Sequence, residues 1–302
     1  MILFGHIKSQ GLYFYPNKIS MKSSLKTVFI AISAFMILAC NTVDQGNTAQ
    51  GDNNFGNVAA PASIQYNVLN VYPHDTTSYT QGLMVHNGQL YEGTGGSPEY
   101  SHYKSWVGKV DLQSGKVTGK VPLENQYFGE GITVLGDKLY QLTWTSKKGF
   151  IYDLATMKKI QEFPLKTEGW GITTDSTNLI VSDGSSNLYY LNPTDFSTIK
   201  ILGVNDNNGP VNNLNELEFI NGYIYANKYQ SNYILKIDPS NGQVVGRADM
   251  GGLLEKYAKE NAKEDKYNNG EGVLNGIAYD AASGKIYITG KLWPKLFEIT
   301  LQ

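Results

Sequence analysis

Self-similarity constrains this chain more than any other feature. Five segments open on Gly or Glu, run through an apolar stretch, turn, and return through a second apolar stretch. They are Gly82-LMVHNGQLYEGTG, Gly131-ITVLGDKLYQLTW, Gly171-ITTDSTNLIVSDG, Glu216-LEFINGYIYANKY and Gly276-IAYDAASGKIYITGK. In the first four, the opening residue and Leu90, Leu139, Leu179 or Ile224 stand eight apart. In the fifth, Gly276 and Ile286 stand ten apart, which predicts a turn two residues longer. Asn87-Gly88 and Asn221-Gly222 are strong hairpin signals, because Asn and Gly tolerate the positive φ of a two-residue turn. The flanking runs are β-branched and aromatic, the residues that suit a pleated surface.

Each of the first four hairpins is followed by a second turn-bearing pair: Gly108-KVDLQSGKVTGKVPL, Phe150-IYDLATMKKIQEFPL, Leu188-YYLNPTDFSTIKIL and Ile234-LKIDPSNGQVVGRADM. Four short strands per unit, at intervals of 49, 40, 45 and 60 residues between openings, predict an all-β fold, a five-bladed propeller. The fifth unit ends with Lys295-LFEITLQ, a third strand without a fourth. Ile64-QYNVLNVY supplies the missing strand from the other end, closing the ring and removing its open edge. The longest interval holds Gly251-GLLEKYAKENAKEDKYNNG, where Leu253, Leu254, Tyr257 and Ala258 share one helical face, so a short helix is expected in this last connection, packed on the rim. Composition agrees: 32 Gly and 21 Tyr suit turns and strands, and a 41% hydrophobic content supplies a sizeable core.

The folded body is expected over residues 63–302, with a different kind of chain ahead of it. Met21-Lys22-Ser23-Ser24-Leu25-Lys26 is a basic segment, Thr27 to Ala39 is uncharged, and Cys40 follows. That is the anatomy of a secretory signal, and the apolar run is short of the about 20 residues a membrane span needs. Ile37-Leu38-Ala39-Cys40 resembles the bacterial lipobox, whose cysteine is lipidated and becomes the first mature residue. Residues 1–40 are therefore read as an upstream extension and lipoprotein signal with translation starting at Met21, and 41–62, poor in bulky side chains, as a flexible tether. The protein is expected to be exported and held on the cell envelope by a lipid on Cys40, and to be monomeric. Cys40 is the single cysteine, which excludes an intramolecular disulfide framework; with four scattered His it excludes a Cys/His zinc cluster. A formal charge of −2 gives no reason to expect nucleic acid as a partner.

Aligning the hairpins locates the chemistry. Immediately before the openings stand Gln81, Glu130, Trp170, Asn215 and Asn275; five past the return anchors stand Gly95, Trp144, Gly184, Tyr229 and Lys291. In an antiparallel hairpin the start of one strand lies beside the end of the other, so both rings are expected on one face, around the channel mouth. A carboxylate, amides, indoles and an ammonium in equivalent slots describe a polar pocket with aromatic walls, a small-ligand site. Glu130, between Gly129 and Gly131 and beside Phe128, is the candidate acid/base, with a pKa expected to be raised by desolvation. Glu92 is a second carboxylate that either holds Lys291 or a ligand amine, or forms an ordinary ion pair. There is no Gly-x-Ser-x-Gly elbow, metal-ligand spacing of His, or phosphate loop.

Tyr79-Thr80-Gln81-Gly82-Leu83, Glu92-Gly93-Thr94-Gly95, Tyr127-Phe128-Gly129-Glu130-Gly131, Gln141-Leu142-Thr143-Trp144, Glu168-Gly169-Trp170-Gly171, Ser182-Asp183-Gly184, Asn213-Leu214-Asn215-Glu216-Leu217-Glu218, Leu274-Asn275-Gly276-Ile277-Ala278 and Thr289-Gly290-Lys291-Leu292-Trp293-Pro294 together resemble the plant and bacterial type of glutaminyl-peptide cyclotransferase. The resemblance runs from about Ile64 to Leu301. It implies a five-bladed propeller that needs no cofactor or catalytic metal, and conversion of an N-terminal glutamine of peptides or proteins to pyroglutamate with release of ammonia. It implies Glu130 as catalytic acid/base, with Gln81, Trp144, Trp170, Asn215 and Lys291 holding the substrate and polarising its amide. Tyr79, Phe128, Tyr229, Glu92 and Asn275 complete the expected substrate contacts. Tyr229 stands where many relatives have Trp, and Tyr79 where they have Phe. Both keep an aromatic wall and bear on substrate preference. Two alternatives belong to other classes. One is a non-catalytic ligand-binding propeller tethered to the envelope; the other is a propeller hydrolase with a metal cage that Glu130, Asn215 and Asn275 could imitate.

Overall fold

A computed structural model describes residues 58–99, 101–258 and 271–302. Met21, Cys40 and the tether up to residue 57 lie outside the described residues.

The five repeats are five four-stranded antiparallel blades, each numbered from the channel outward. Blade one is Thr80–His86, Gln89–Thr94, Trp106–Val110 and Val117–Pro122; blade two is Gly129–Leu135, Lys138–Thr143, Lys148–Asp153 and Lys159–Pro164. Blade three is Ile172–Thr174, Leu179–Ser182, Asn187–Leu191 and Thr198–Gly203; blade four is Leu214–Ile220, Tyr223–Lys228, Tyr233–Ile237 and Val244–Asp249. Blade five has Leu274–Asp280, Lys285–Gly290 and Lys295–Leu301, and its fourth strand is Tyr66–Pro73, paired antiparallel with Lys295–Leu301. The closure expected from the sequence is present. A second stitch was not foreseen: Ala62–Ile64 adds in parallel to the outer edge of blade four. The N-terminal segment thus fastens two neighbouring blades.

Turn chemistry follows the residues. Asn87 and Gly88, at φ 50 and 74, and Asn221 and Gly222, at φ 49 and 85, make two-residue turns. The fifth hairpin pairs Asp280 with Lys285 and so has a turn two residues longer, as its spacing predicts. Blade three keeps the eight-residue spacing but pairs Thr174 with Leu179, so its longer turn shortens both strands. The rim helix is one turn, Leu253–Tyr257, with Leu253 and Leu254 buried. Residues 259–270 of the expected helical segment lie outside the described residues.

The core is divided into five wedges, one between each pair of neighbouring blades. Leu83 and Leu90 of blade one face blade five, whereas Met84 and Tyr91 face blade two. Each blade therefore buries both faces, which is why its strands read as nearly continuous apolar runs. At the centre the inner strands crowd. A Cβ on Gly171 would lie 2.1 Å from the Asn215 carbonyl oxygen, which explains the glycine that opens this unit. Blade four opens instead on Glu216, whose carboxylate accepts from Leu83 N at 3.2 Å and Ile277 N at 2.9 Å and so joins three blades.

Candidate active site

Every residue of the first ring sits in a β-bulge. In blade one Thr80 pairs with Thr94 and Gly82 with Gly93, leaving Gln81 as the extra residue. Glu130-Gly131 in blade two, Asn215-Glu216 in blade four and Asn275-Gly276 in blade five lie in the same register break. In blade three Trp170 and Gly171 both pair with Ser182. A bulge bends its strand and re-aims the side chain of the extra residue, here at the end of each inner strand. The second ring is held beside it by backbone hydrogen bonds from Gly95 to Tyr79, Trp144 to Phe128, Tyr229 to Asn213 and Lys291 to Val273. The two rings are brought to one mouth.

There they enclose a cavity of about 120 Å³ lined by Tyr79, Gln81, Phe128, Glu130, Trp144, Trp170, Asn215, Tyr229 and Lys291. Glu130 is 4% exposed and Lys291 3%. The direction of the Gln81 amide follows from its neighbours. The Thr80 carbonyl can only accept, so the Asn275 amide nitrogen faces it at 3.0 Å; that nitrogen also donates to Gln81 Oε1 at 3.2 Å. Gln81 Nε2 is thereby turned to Glu130 Oε1, at 3.0 Å. The amide oxygen of Asn215 is buried without a partner among the described residues.

The walls are aromatic and mutually braced. Phe128 meets Tyr79 and Trp144 edge-on at centroid distances of 6.2 and 5.6 Å, and Trp170 meets Tyr229 at 5.5 Å. The Lys291 ammonium lies 4.6 Å from the Tyr79 ring centre and 5.1 Å from that of Tyr229. Burial pushes the Glu130 carboxyl well above the ordinary carboxylate range; the Lys291 charge opposes this and Glu168 adds to it. Burial pushes the Lys291 ammonium down to about 8, against the pull of Glu130. Both shifts favour the neutral forms.

Two expected contacts lie elsewhere. Asn275 occupies its ring slot, but its amide is directed sideways onto Thr80 and Gln81 and it does not line the cavity. Glu92 is also behind the wall, fully buried, accepting from Thr80 Oγ1 at 2.7 Å and meeting His74 Nε2 at 3.1 Å. His74 Nδ1 faces the Trp293 carbonyl at 2.6 Å. Burial lowers the pKa of the imidazole, but the neighbouring Glu92 and the Trp293 carbonyl more than offset this and leave it raised. The ion-pair reading of Glu92 holds, with His74 as its partner; contact with Lys291 or a ligand is corrected. One residue at the site was overlooked: Glu168 Oε2 accepts from the indole nitrogens of both Trp144, at 2.8 Å, and Trp170, at 3.0 Å. It stands two residues before the blade-three ring position, the slot held by Tyr79 and Phe128 in blades one and two, and counting back two residues would have found it.

Comparison with known proteins covers this same body. Residues 33–301 match the model of the glutamine cyclotransferase family. A glutaminyl-peptide cyclotransferase of Arabidopsis thaliana is 40% identical over 237 residues, 78% of this chain and 71% of the relative. The crystal structure of Myxococcus xanthus glutaminyl cyclase is 34% identical in sequence and superposes with a TM-score of 0.71, covering 80% of this chain and 98% of that one. By sequence and by fold alike, the chain belongs to the glutamine cyclotransferase family.

Proposed function

We propose that the protein is a glutaminyl-peptide cyclotransferase that works by general acid/base catalysis at Glu130 without a metal ion. The observation that carries this reading is a buried carboxylate, oriented by Gln81 and opposed by Lys291, in an aromatic cavity of the family fold. In the reaction the α-amine of an N-terminal glutamine attacks its own side-chain carbonyl carbon. A C–N bond forms to close the five-membered lactam, the bond to the side-chain nitrogen breaks, and one proton moves from the attacking amine to the departing ammonia. Glu130 accepts that proton and returns it to the leaving nitrogen. Such help is worth roughly 10²- to 10⁴-fold. Lys291 stabilises the developing oxyanion, and the free amide oxygen of Asn215 accepts from a substrate N–H. Trp144, Trp170, Phe128, Tyr79 and Tyr229 hold the glutamine folded back on itself and limit competing hydrolysis. The donor set argues against a metal route: one carboxylate faces an ammonium, and the remaining lining groups are amides, indoles and aromatic rings, poor company for a divalent cation.

The test is ammonia release from a Gln-initiated peptide, with and without chelator. Release should persist with chelator and fall by about 10²- to 10⁴-fold in kcat in Glu130→Gln, whose isosteric amide cannot shuttle a proton. Abolition by chelator would reject the metal-free route, and full activity in Glu130→Gln would reject the assignment of Glu130.

The signal anatomy at Met21–Cys40 supports a second reading, export and anchoring by a lipid on Cys40, with peptides outside the cytoplasm as substrates. Cys40→Ala should leave the membrane fraction on cell fractionation; retention there would overturn the anchor.

A further inference from the structure

We propose that Glu168 is a positioning residue of this site, a single carboxylate that fixes the planes of Trp144 and Trp170 against the substrate glutamine. The proposal rests on the cyclase reading above. One oxygen of Glu168 accepts from both indole nitrogens, 2.8 and 3.0 Å away, so two walls that belong to different blades share one anchor. The backbone is arranged to bring it there. Gly169 N donates to the Trp144 carbonyl, and a Cβ on Gly169 would lie 2.9 Å from both Leu142 Cβ and the Thr143 carbonyl oxygen. The Trp170 ring lies flush on Gly184, where a Cβ would come within 2.6 Å of it.

The same carboxylate bears on the catalytic group. Glu130 is faced by Lys291 from blade five, Gln81 and the Tyr79 hydroxyl from blade one, Tyr229 from blade four, and Glu168 from the approach to blade three. Of these, Lys291 stabilises the Glu130 anion and Glu168 destabilises it. Removing the Glu168 charge thus makes Glu130 ionise at lower pH.

Two variants separate the effects. Glu168→Ala removes the shared acceptor and should lower kcat/KM on the order of ten- to a hundredfold, mainly through KM. Glu168→Gln keeps an acceptor but not the charge; KM should stay close to wild type while the acid limb of kcat/KM moves to lower pH. The same peptide is used throughout, so its own amine contributes equally to every profile. In ¹⁵N-labelled protein the Trp144 and Trp170 indole N–H resonances should both move in Glu168→Gln. Wild-type KM in Glu168→Ala, or an unmoved acid limb or unmoved indole resonances in Glu168→Gln, overturns the proposal. If the wild-type protein releases no ammonia from any Gln-initiated peptide, the cyclase reading fails instead, and the indole resonances alone decide whether Glu168 holds both walls.

Discussion

Lys291 keeps its charge against the cost of leaving water: its ammonium is buried between the Tyr79 and Tyr229 rings, and only the Glu130 carboxylate restrains the fall to about 8. The protonated form is the one that can stabilise an oxyanion, so kcat/KM should decline as pH rises through about 8. Lys291→Met should lose about 10²- to 10³-fold in kcat and abolish that alkaline limb. A kcat unchanged in the variant would remove Lys291 from the chemistry. Glu130 and Glu92 show how far surroundings decide a carboxylate's use. Both are buried, but Glu92 is partnered by the His74 ring and two hydroxyls, whereas Glu130 faces a cavity. Residue types and slots put Glu130 at the channel mouth from the sequence, and it lines the cavity there. They left Glu92 between a ligand contact and an ion pair, because its partner His74 comes from the connection ahead of blade one, outside the repeats. Asn275 was misassigned for a related reason: a ring slot gives a residue's place along its strand and not the direction its amide takes.

At the scale of elements, the bulges position the site. An unbroken strand would alternate its side chains between the two faces of the blade and bury them in the wedges; the extra residue breaks that alternation and turns the ring side chain toward the mouth. Glycines next to the bulges let neighbouring inner strands approach. Gly171→Ala, whose Cβ would meet the Asn215 carbonyl oxygen at 2.1 Å, should lower stability by about 1–3 kcal/mol in urea unfolding and reduce activity by displacing Trp170 and Asn215 together. Wild-type stability in that variant would show that the inner strands have room to spare. Hairpins were legible because turn residues and apolar runs recur at a fixed spacing. The bulges were not, since one added residue changes no composition. Ala62–Ile64 and the two-residue ribbon Asn205–Asp206 with Gly209–Pro210 were also missed: two or three residues are too few to show a period.

Across the whole molecule, the wedges are held at the axis by two acids. Glu216 accepts from backbone of blades one and five, and Glu218 accepts from Tyr279 N at 2.8 Å. Burial raises both carboxyls, Glu218 to about 8. Over the range from the ordinary carboxylate value of 4.5 to about 8, the folded chain therefore binds more protons at Glu218 than the unfolded chain. Stability contributed in this way is fully present at low pH and lost as pH rises through 8. His74, also raised, has the same sign; Lys291, lowered, has the opposite sign above about 8. Tm should fall as pH rises toward and through 8, and Glu218→Gln, uncharged at every pH, should flatten that fall. An equal slope in the variant would mean that Glu218 does not titrate there.

The joining of Tyr66–Pro73 to Lys295–Leu301 also has a consequence in time. The ribosome makes the first of these strands before any blade and the second after the other strands of all five, so the earlier strand waits for the later. At ~5–20 residues per second the interval is about 10–50 s. Until the later strand is made the fifth blade is unfinished, and the blades already present can form only an open arc with a free strand edge. Contacts so distant along the chain also form slowly once both partners exist. The cavity, which takes Lys291 from the last blade and Gln81 from the first, is assembled only when the arc becomes a ring.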